Sequence, residues 1–199
     1  ATLTVTNSNG ATFTGAVTAD TSVVLTDTTD AANITFTGAL VTPTLTTAAQ
    51  GYDLDLLGSG TTITNAVTFT NTGTLQLGDA AADVLLFNSG LKATAPSGVT
   101  LNATLRTSGD AVSLGDAGTP VTLAGTTSII DTTNNGGTAA GAGITVDGAV
   151  DGTGANTQSL TLNAGTGGAI SFGSTIGATT SLATLTVTNS NGATFTGAV

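Results

Sequence analysis

The chain is written in short stretches in which apolar and small polar residues alternate. Leu3-Thr4-Val5, Thr12-Phe13-Thr14, Asn33-Ile34-Thr35-Phe36-Thr37 and Val67-Thr68-Phe69-Thr70 carry the pattern. It recurs at Leu75-Gln76-Leu77, Val121-Thr122-Leu123 and Leu160-Thr161-Leu162. A period of two puts alternate side chains on opposite faces, so each stretch predicts a short strand with one buried and one wet face. Threonine fills many of the wet positions, and its branched Cβ suits a pleated, half-exposed surface. Between the stretches stand Asn9-Gly10, Ser59-Gly60, Gly78-Asp79, Gly115-Asp116 and Gly136-Gly137, pairs that tolerate positive φ and mark tight turns. Residues 134–143, NNGGTAAGAG, read as a loop. Helix is disfavoured, because Thr and Gly are poor helix formers and Glu, Lys and Arg are nearly missing.

Residues 1–17 and 183–199 both read ATLTVTNSNGATFTGAV, at an offset of 182. Identity of that length is duplication. We therefore read residues 1–182 as one unit and residues 183–199 as the opening of the next identical unit, with the parent polypeptide or assembly expected to continue past both ends. A shorter period lies inside. Residues 6–17 align with residues 29–40, placing Phe13 over Phe36 at an offset of 23, and residues 162–172 align with residues 185–195 at the same offset. Dividing 182 by 23 gives about eight coils, although Phe69 falls off the register. Repeats of roughly 20 to 30 residues mark solenoids.

Stacking resolves a difficulty that such short strands pose for a globular sandwich. Each strand pairs with the coils above and below, and at ~4.8 Å per strand eight coils make a rod of about 38 Å. The expected fold is all-β, a parallel β-solenoid of about eight coils of ~23 residues. Its inward stripe is expected to hold Phe13, Phe36, Phe69, Phe87, Phe172 and Phe195. The alternative is a pair of tandem β-sandwich domains of about 100 residues each. The 23-residue echo and the absence of Trp argue against it.

Composition then removes most chemistry. The chain has 47 Thr, 28 Gly and a charged fraction of 7%, with no His, Cys, Met, Trp or Glu. Ser–His–Asp and Cys–His sites are impossible, and no disulfide can form. Its only cations are Lys92 and Arg106, against twelve Asp and a net charge of −10. That argues against nucleic acid or an anionic membrane as partner. The longest run of large apolar side chains is Val84–Phe87, far from the ~18 residues of a membrane-spanning helix, so no membrane insertion by this segment is expected. The first residues carry no charged-then-apolar signal-peptide pattern, and with Ala1 in place of Met any export signal is expected elsewhere in the parent protein.

Asp chemistry is what remains. Asp53 and Asp55 flank Leu54 and share a strand face, which suits either a carboxylate pair for glycoside cleavage or a plain solvated face. Asp27 with Asp30, Asp79 with Asp83, and Asp147 with Asp151 have turn-like spacing that could serve calcium, but the nonapeptide of calcium β-rolls is missing. No metal site or catalytic residue is assigned. The glycine-rich pieces lack the phosphate-loop pattern and read as turns. Thr-x-Thr at Thr12/Thr14, Thr35/Thr37, Thr68/Thr70 and Thr194/Thr196 would suit an ice-binding array if the triplets lined one flat face. Acidic interruptions argue against such a face.

Three phrases carry a resemblance: IIDTTNNGGTAAGAGITVDGAV at 129–150, SLTLNAGTGGAISFGSTIG at 159–177 and SLATLTVTNSNGATFTGAV at 181–199. They look like the giant bacterial "β-strand repeat" surface proteins, which are similar to filamentous-haemagglutinin-type adhesins and autotransporter passenger regions. The resemblance covers most of the chain in composition and phrasing and carries no catalytic or ligand residues. It implies a right-handed parallel β-solenoid at the bacterial surface or in the medium. There it would serve as stalk, fibre or adhesin, with other copies of the repeat and possible host or neighbouring cell surfaces as partners.

Overall fold

The computed structural model describes residues 1–27 and 29–199. Among the described residues there are twenty-four strands of two to six residues and no helix. The chain turns through three strands per coil. Thr2–Val5, Ala11–Phe13 and Val17–Thr18 make the first coil, and Ser22–Leu25, Asn33–Phe36 and Leu40–Thr42 lie over them. All named strand pairs are parallel and join adjacent coils, so the strands sort into three faces of a prism.

The second face holds seven strands, from Ala11–Phe13 to Val150–Gly152, and the third holds eight, from Val17–Thr18 to Thr184–Asn189. The first face comes in two runs. Three strands end at Leu45–Thr47, and six more run from Val67–Thr68 to Ala193–Phe195. A threonine clip bridges the break: Thr70 N–H donates to Thr47 Oγ1 at 2.8 Å, and the Thr47 hydroxyl reaches Thr68 O at 3.3 Å. The fold is a parallel β-solenoid of about eight turns.

Alternation explains why the rungs hold. On the second face Ile34, Leu54, Leu75, Val99, Val121 and Val150 stack in one inward ladder, with Phe36, Leu56, Leu77, Leu101 and Leu123 in the next. All of them are buried. A slip of one residue would turn such a ladder out to water, so the apolar pattern fixes the register. Corners are freer. Ladder partners Thr2 and Ser22 are 20 residues apart, whereas Val112 and Ile144 are 32 apart because the 134–143 loop bulges out between faces.

One corner is paved with glycine. A Cβ at Gly38 would lie 2.4 Å from Gly15 C, and one at Gly58 would lie 2.1 Å from Gly38 C. The backbones of three coils approach there more closely than any side chain allows.

The phenylalanines do not form the single stripe that the sequence suggests. Phe13 and Phe36 end strands of the second face, Phe87 ends one of the third, and Phe69, Phe172 and Phe195 belong to the first. They meet as pairs: Phe13–Phe36 stacked at 4.7 Å, Phe69–Phe87 edge-on at 6.0 Å, and Phe172–Phe195 stacked at 5.4 Å. Phe36, Phe69, Phe87 and Phe172 are fully buried, but Phe13 and Phe195 are only half-buried because they sit on the terminal coils. The alignment of 162–172 with 185–195 also needs correction. Phe172 does pair with Phe195, but Leu162 lies beside Val187, and Leu185 lies beside Leu160. The loop between the two strands is shorter in the last coil than in the one below.

Candidate functional site

The outward side of the second face reads Thr12, Thr35, Asp55, Gln76, Thr100, Thr122 and Asp151 up the ladder. Asp53 and Asp55 both stand on this side, flanking buried Leu54. Their oxygens are in use. Asp55 Oδ2 accepts from Asn33 Nδ2 at 3.0 Å and from Thr35 Oγ1 at 2.9 Å, and Asp53 Oδ1 accepts Thr74 N–H at 2.6 Å. These bonds tie each carboxylate to a neighbouring coil rather than holding it open toward a substrate.

Thr-x-Thr triplets divide between two sheets. Thr12/Thr14 and Thr35/Thr37 border the second face, while Thr68/Thr70 and Thr194/Thr196 border the first. In the first-face ladder, Thr68 is followed upward by Lys92, Ser113, Thr145, Ser171 and Thr194. On the second face, Asp55 breaks the series after two coils. Neither face is a continuous threonine array.

Turn aspartates cap local backbone. Asp27 is buried, receives the Ser8 hydroxyl and accepts Thr29 N–H at 3.1 Å, while Asp30 is exposed on the following turn. Asp83 Oδ2 accepts the N–H groups of Asp79 at 3.1 Å and Ala80 at 2.9 Å. Asp79 is itself exposed, and partial desolvation and a hydrogen bond with Asp83 raise its carboxyl above the usual carboxylate range. Asp151 Oδ1 accepts from Thr179 N–H at 2.9 Å and Thr180 N–H at 2.8 Å, and Asp147 is exposed. No three acidic groups gather as a metal cradle among the described residues.

The densest polar cluster was not evident from the sequence. Asp131, at 5% exposure, accepts from Thr133 N–H at 2.9 Å, Thr133 Oγ1 at 2.6 Å and Asn135 N–H at 2.7 Å. Arg106 stands one coil below, with its Nε 3.9 Å from Asp131 Oδ2, an ion pair without a hydrogen bond. Thr132 clips the far end of the loop, donating to Ala142 O at 2.8 Å and accepting Ala142 N–H at 2.9 Å. The cluster pins the 134–143 bulge to the rod. Its sequence signal was the 25-residue spacing of Arg106 and Asp131, about one coil.

Both ends of the prism are open edges. At the carboxyl end a pocket of about 330 Å³ opens between Ile176, Leu182, Leu185 and Val199. Val187 and Val199 are 38% and 73% exposed beside it. This is where the described surface offers unpaired strand edge and bare apolar side chains together, so the ends of the rod are the strongest candidate for a functional surface.

Comparison with protein-family models, with curated proteins and with solved structures finds no match to this chain.

Proposed function

We propose that the chain is a non-enzymatic structural repeat of a long bacterial surface protein. It forms a rod or filament that serves adhesion, surface coating or matrix. The observation that carries this reading is the duplicated segment at the two open ends of a solenoid. An exposed edge of paired strands is an invitation to add another strand. A repeat that begins again at that edge turns the hazard into continuity. Load along such a rod is shared by ladders of backbone hydrogen bonds, each worth about 1 kcal/mol net.

The outer chemistry supports a scaffold. Asp53, Asp55 and Asp151 bond to neighbouring coils, Asp83 caps its own turn, and threonine hydroxyls bridge rungs, as Thr35 does to Asp55. A net charge of −10 keeps rods apart in solution.

Two measurements test the reading. Electron microscopy of a chain carrying several units should show thin, unbranched rods lengthening by about 37 Å per unit. Antibodies against the chain should stain intact, unpermeabilised cells of the source organism. Compact particles that do not lengthen with unit number, or staining only after lysis, would overturn it. Release of reducing ends from polysaccharides, abolished in Asp53→Asn, would replace it with a carbohydrate-active reading.

A further inference from the structure

Residues 1–17 and 183–199 are identical in sequence, yet they occupy different faces. In the first copy Thr2–Val5 lies on the first face and Ala11–Phe13 on the second. In the second copy Thr184–Asn189 lies on the third face and Ala193–Phe195 on the first. The order of faces is kept, and its starting point moves by one. The tails agree. Val17 starts a strand of the third face, whereas Ala198 O accepts from Ile176 N–H at 2.9 Å, and Ile176 bridges Val150 on the second. Thr2–Val5 is the first rung of its face and Thr184–Asn189 the eighth rung of another, so 182 residues make seven and two-thirds turns.

The two copies also show the two sides of one coil. In the first copy the upper side is covered, by Val23 on Leu3, Leu25 on Val5 and Phe36 on Phe13. In the second copy the under side is covered, with Leu185 on Leu160, Val187 on Leu162 and Phe195 on Phe172. Its upper side is bare, which is why Val187 and Val199 are exposed and the pocket stands open.

We propose that this end is the seat of residues 18–40 of a following unit. They stack on residues 183–199 as residues 18–40 of this chain stack on residues 1–17. Each unit of an array then starts one face behind its predecessor and returns to phase after three units. The inference rests on the rod reading above and adds its geometry. Val23, Leu25, Phe36 and Leu40 of the following unit cover Leu185, Val187, Phe195 and Val199. The Phe172–Phe195 pair at 5.4 Å gains that Phe36 as a third ring, at the spacing of the Phe13–Phe36 pair, 4.7 Å. A feature carried on one side of the unit is thereby displayed on three sides of the rod in turn.

Lys92 makes the test direct, because it is the chain's single lysine and is exposed on the first face. A chain carrying the 182-residue unit three times over, ending in residues 183–199, is labelled with an amine-reactive gold cluster and imaged by cryo-electron microscopy. The terminal amine marks one end. Three Lys92 labels spaced about 37 Å apart, each a third of a turn from the last relative to the rod's own faces, are the expected result. Labels along one face of an intact rod would overturn this inference and leave the rod reading standing. Separate beads in place of a rod would overturn both.

Discussion

Phe36 and Phe13 form one stacked pair at 4.7 Å but differ in depth, and that difference sets a quantitative test. Phe36 is 0% exposed, held between Phe13 below and Leu56 above. Phe13 lies in the first coil with nothing beneath it and is only half-buried. Truncating a fully buried phenylalanine costs about 3–5 kcal/mol, the lost transfer free energy plus the cavity. At the terminal coil solvent already reaches one side and the coil can settle, so Phe13→Ala should cost about 1–2 kcal/mol. A solenoid distributes such losses locally, because each coil contacts only its neighbours. Hydrogen exchange read by mass spectrometry is therefore the right assay. In Phe36→Ala, amides of Ala11–Phe13, Asn33–Phe36 and Asp53–Leu56 should exchange faster by roughly two to three and a half decades, up to the limit set by opening of the end coils. Those of Ser159–Asn163 and Ile170–Phe172, many coils away, should be unchanged. Phe36→Asp should be worse, since the inserted carboxylate has no partner in that ladder. Equal costs for Phe13→Ala and Phe36→Ala, or a uniform loss of protection along the chain, would refute the coil-by-coil account.

Other expectations follow from the same geometry. Gly38→Ala should lower Tm sharply, because its Cβ would meet Gly15 C at 2.4 Å, whereas Gly15→Ala, with nothing within 4 Å, should be close to neutral. Tyr52, the only tyrosine, is buried with its hydroxyl donating to Leu25 O at 3.2 Å, and desolvation pushes its pKa up to about 12. Its ultraviolet titration should fall near that pH in the folded protein. The unfolded chain loses this proton near pH 10, so stability from this group is complete below pH 10 and is lost as pH rises toward 12. Asp83→Ala removes two backbone hydrogen bonds from one turn and should cost about 1–2 kcal/mol. Asp79→Asn should leave Tm at neutral pH unchanged or higher, because desolvation and the neighbouring Asp83 work against the Asp79 charge in the folded turn and the amide carries none. A chelator should leave Tm unchanged, since Asp27, Asp83 and Asp151 bond to the chain's own donors.

What could be read from the sequence was local. Period-two alternation put Leu54, Leu56, Ile34 and Phe36 inside and Asp53 and Asp55 outside, because side-chain direction in a strand depends only on parity. The Phe13–Phe36 and Phe172–Phe195 offsets gave the coil length. What escaped was whatever depends on the path between strands. Phe69 falls out of the 23-residue register because a three-sided coil offers three inward ladders, and it belongs to a different one from Phe36. The Leu162–Leu185 slip has the same origin: the path from Leu162 to Phe172 is two residues longer than the path from its ladder partner Val187 to Phe195, and alternation survives a shift of two unchanged. The cluster around Asp131 is marked in the sequence only by its one-coil spacing from Arg106, because its hydrogen bonds come from a loop whose conformation no pattern announces.

The phase of the repeat is the extreme case of this limit. Which face a segment meets depends on the summed lengths of every corner before it, including the 32-residue coil between Val112 and Ile144. No local pattern carries that sum. Nor does the segment select a face by its own side chains. Residues 1–17 receive Val23, Leu25 and Phe36 from above, and residues 183–199 rest on Leu160, Leu162 and Phe172 below. Each edge is met by the same kind of partner, a large apolar residue at every second position. A coil recognises that spacing and not the face that bears it. A unit of this solenoid can therefore join its neighbour after a fractional number of turns at no loss of pairing. One insertion of a few residues at a corner leaves the junction intact, whereas one residue inserted within a strand reverses every side chain beyond it on that rung.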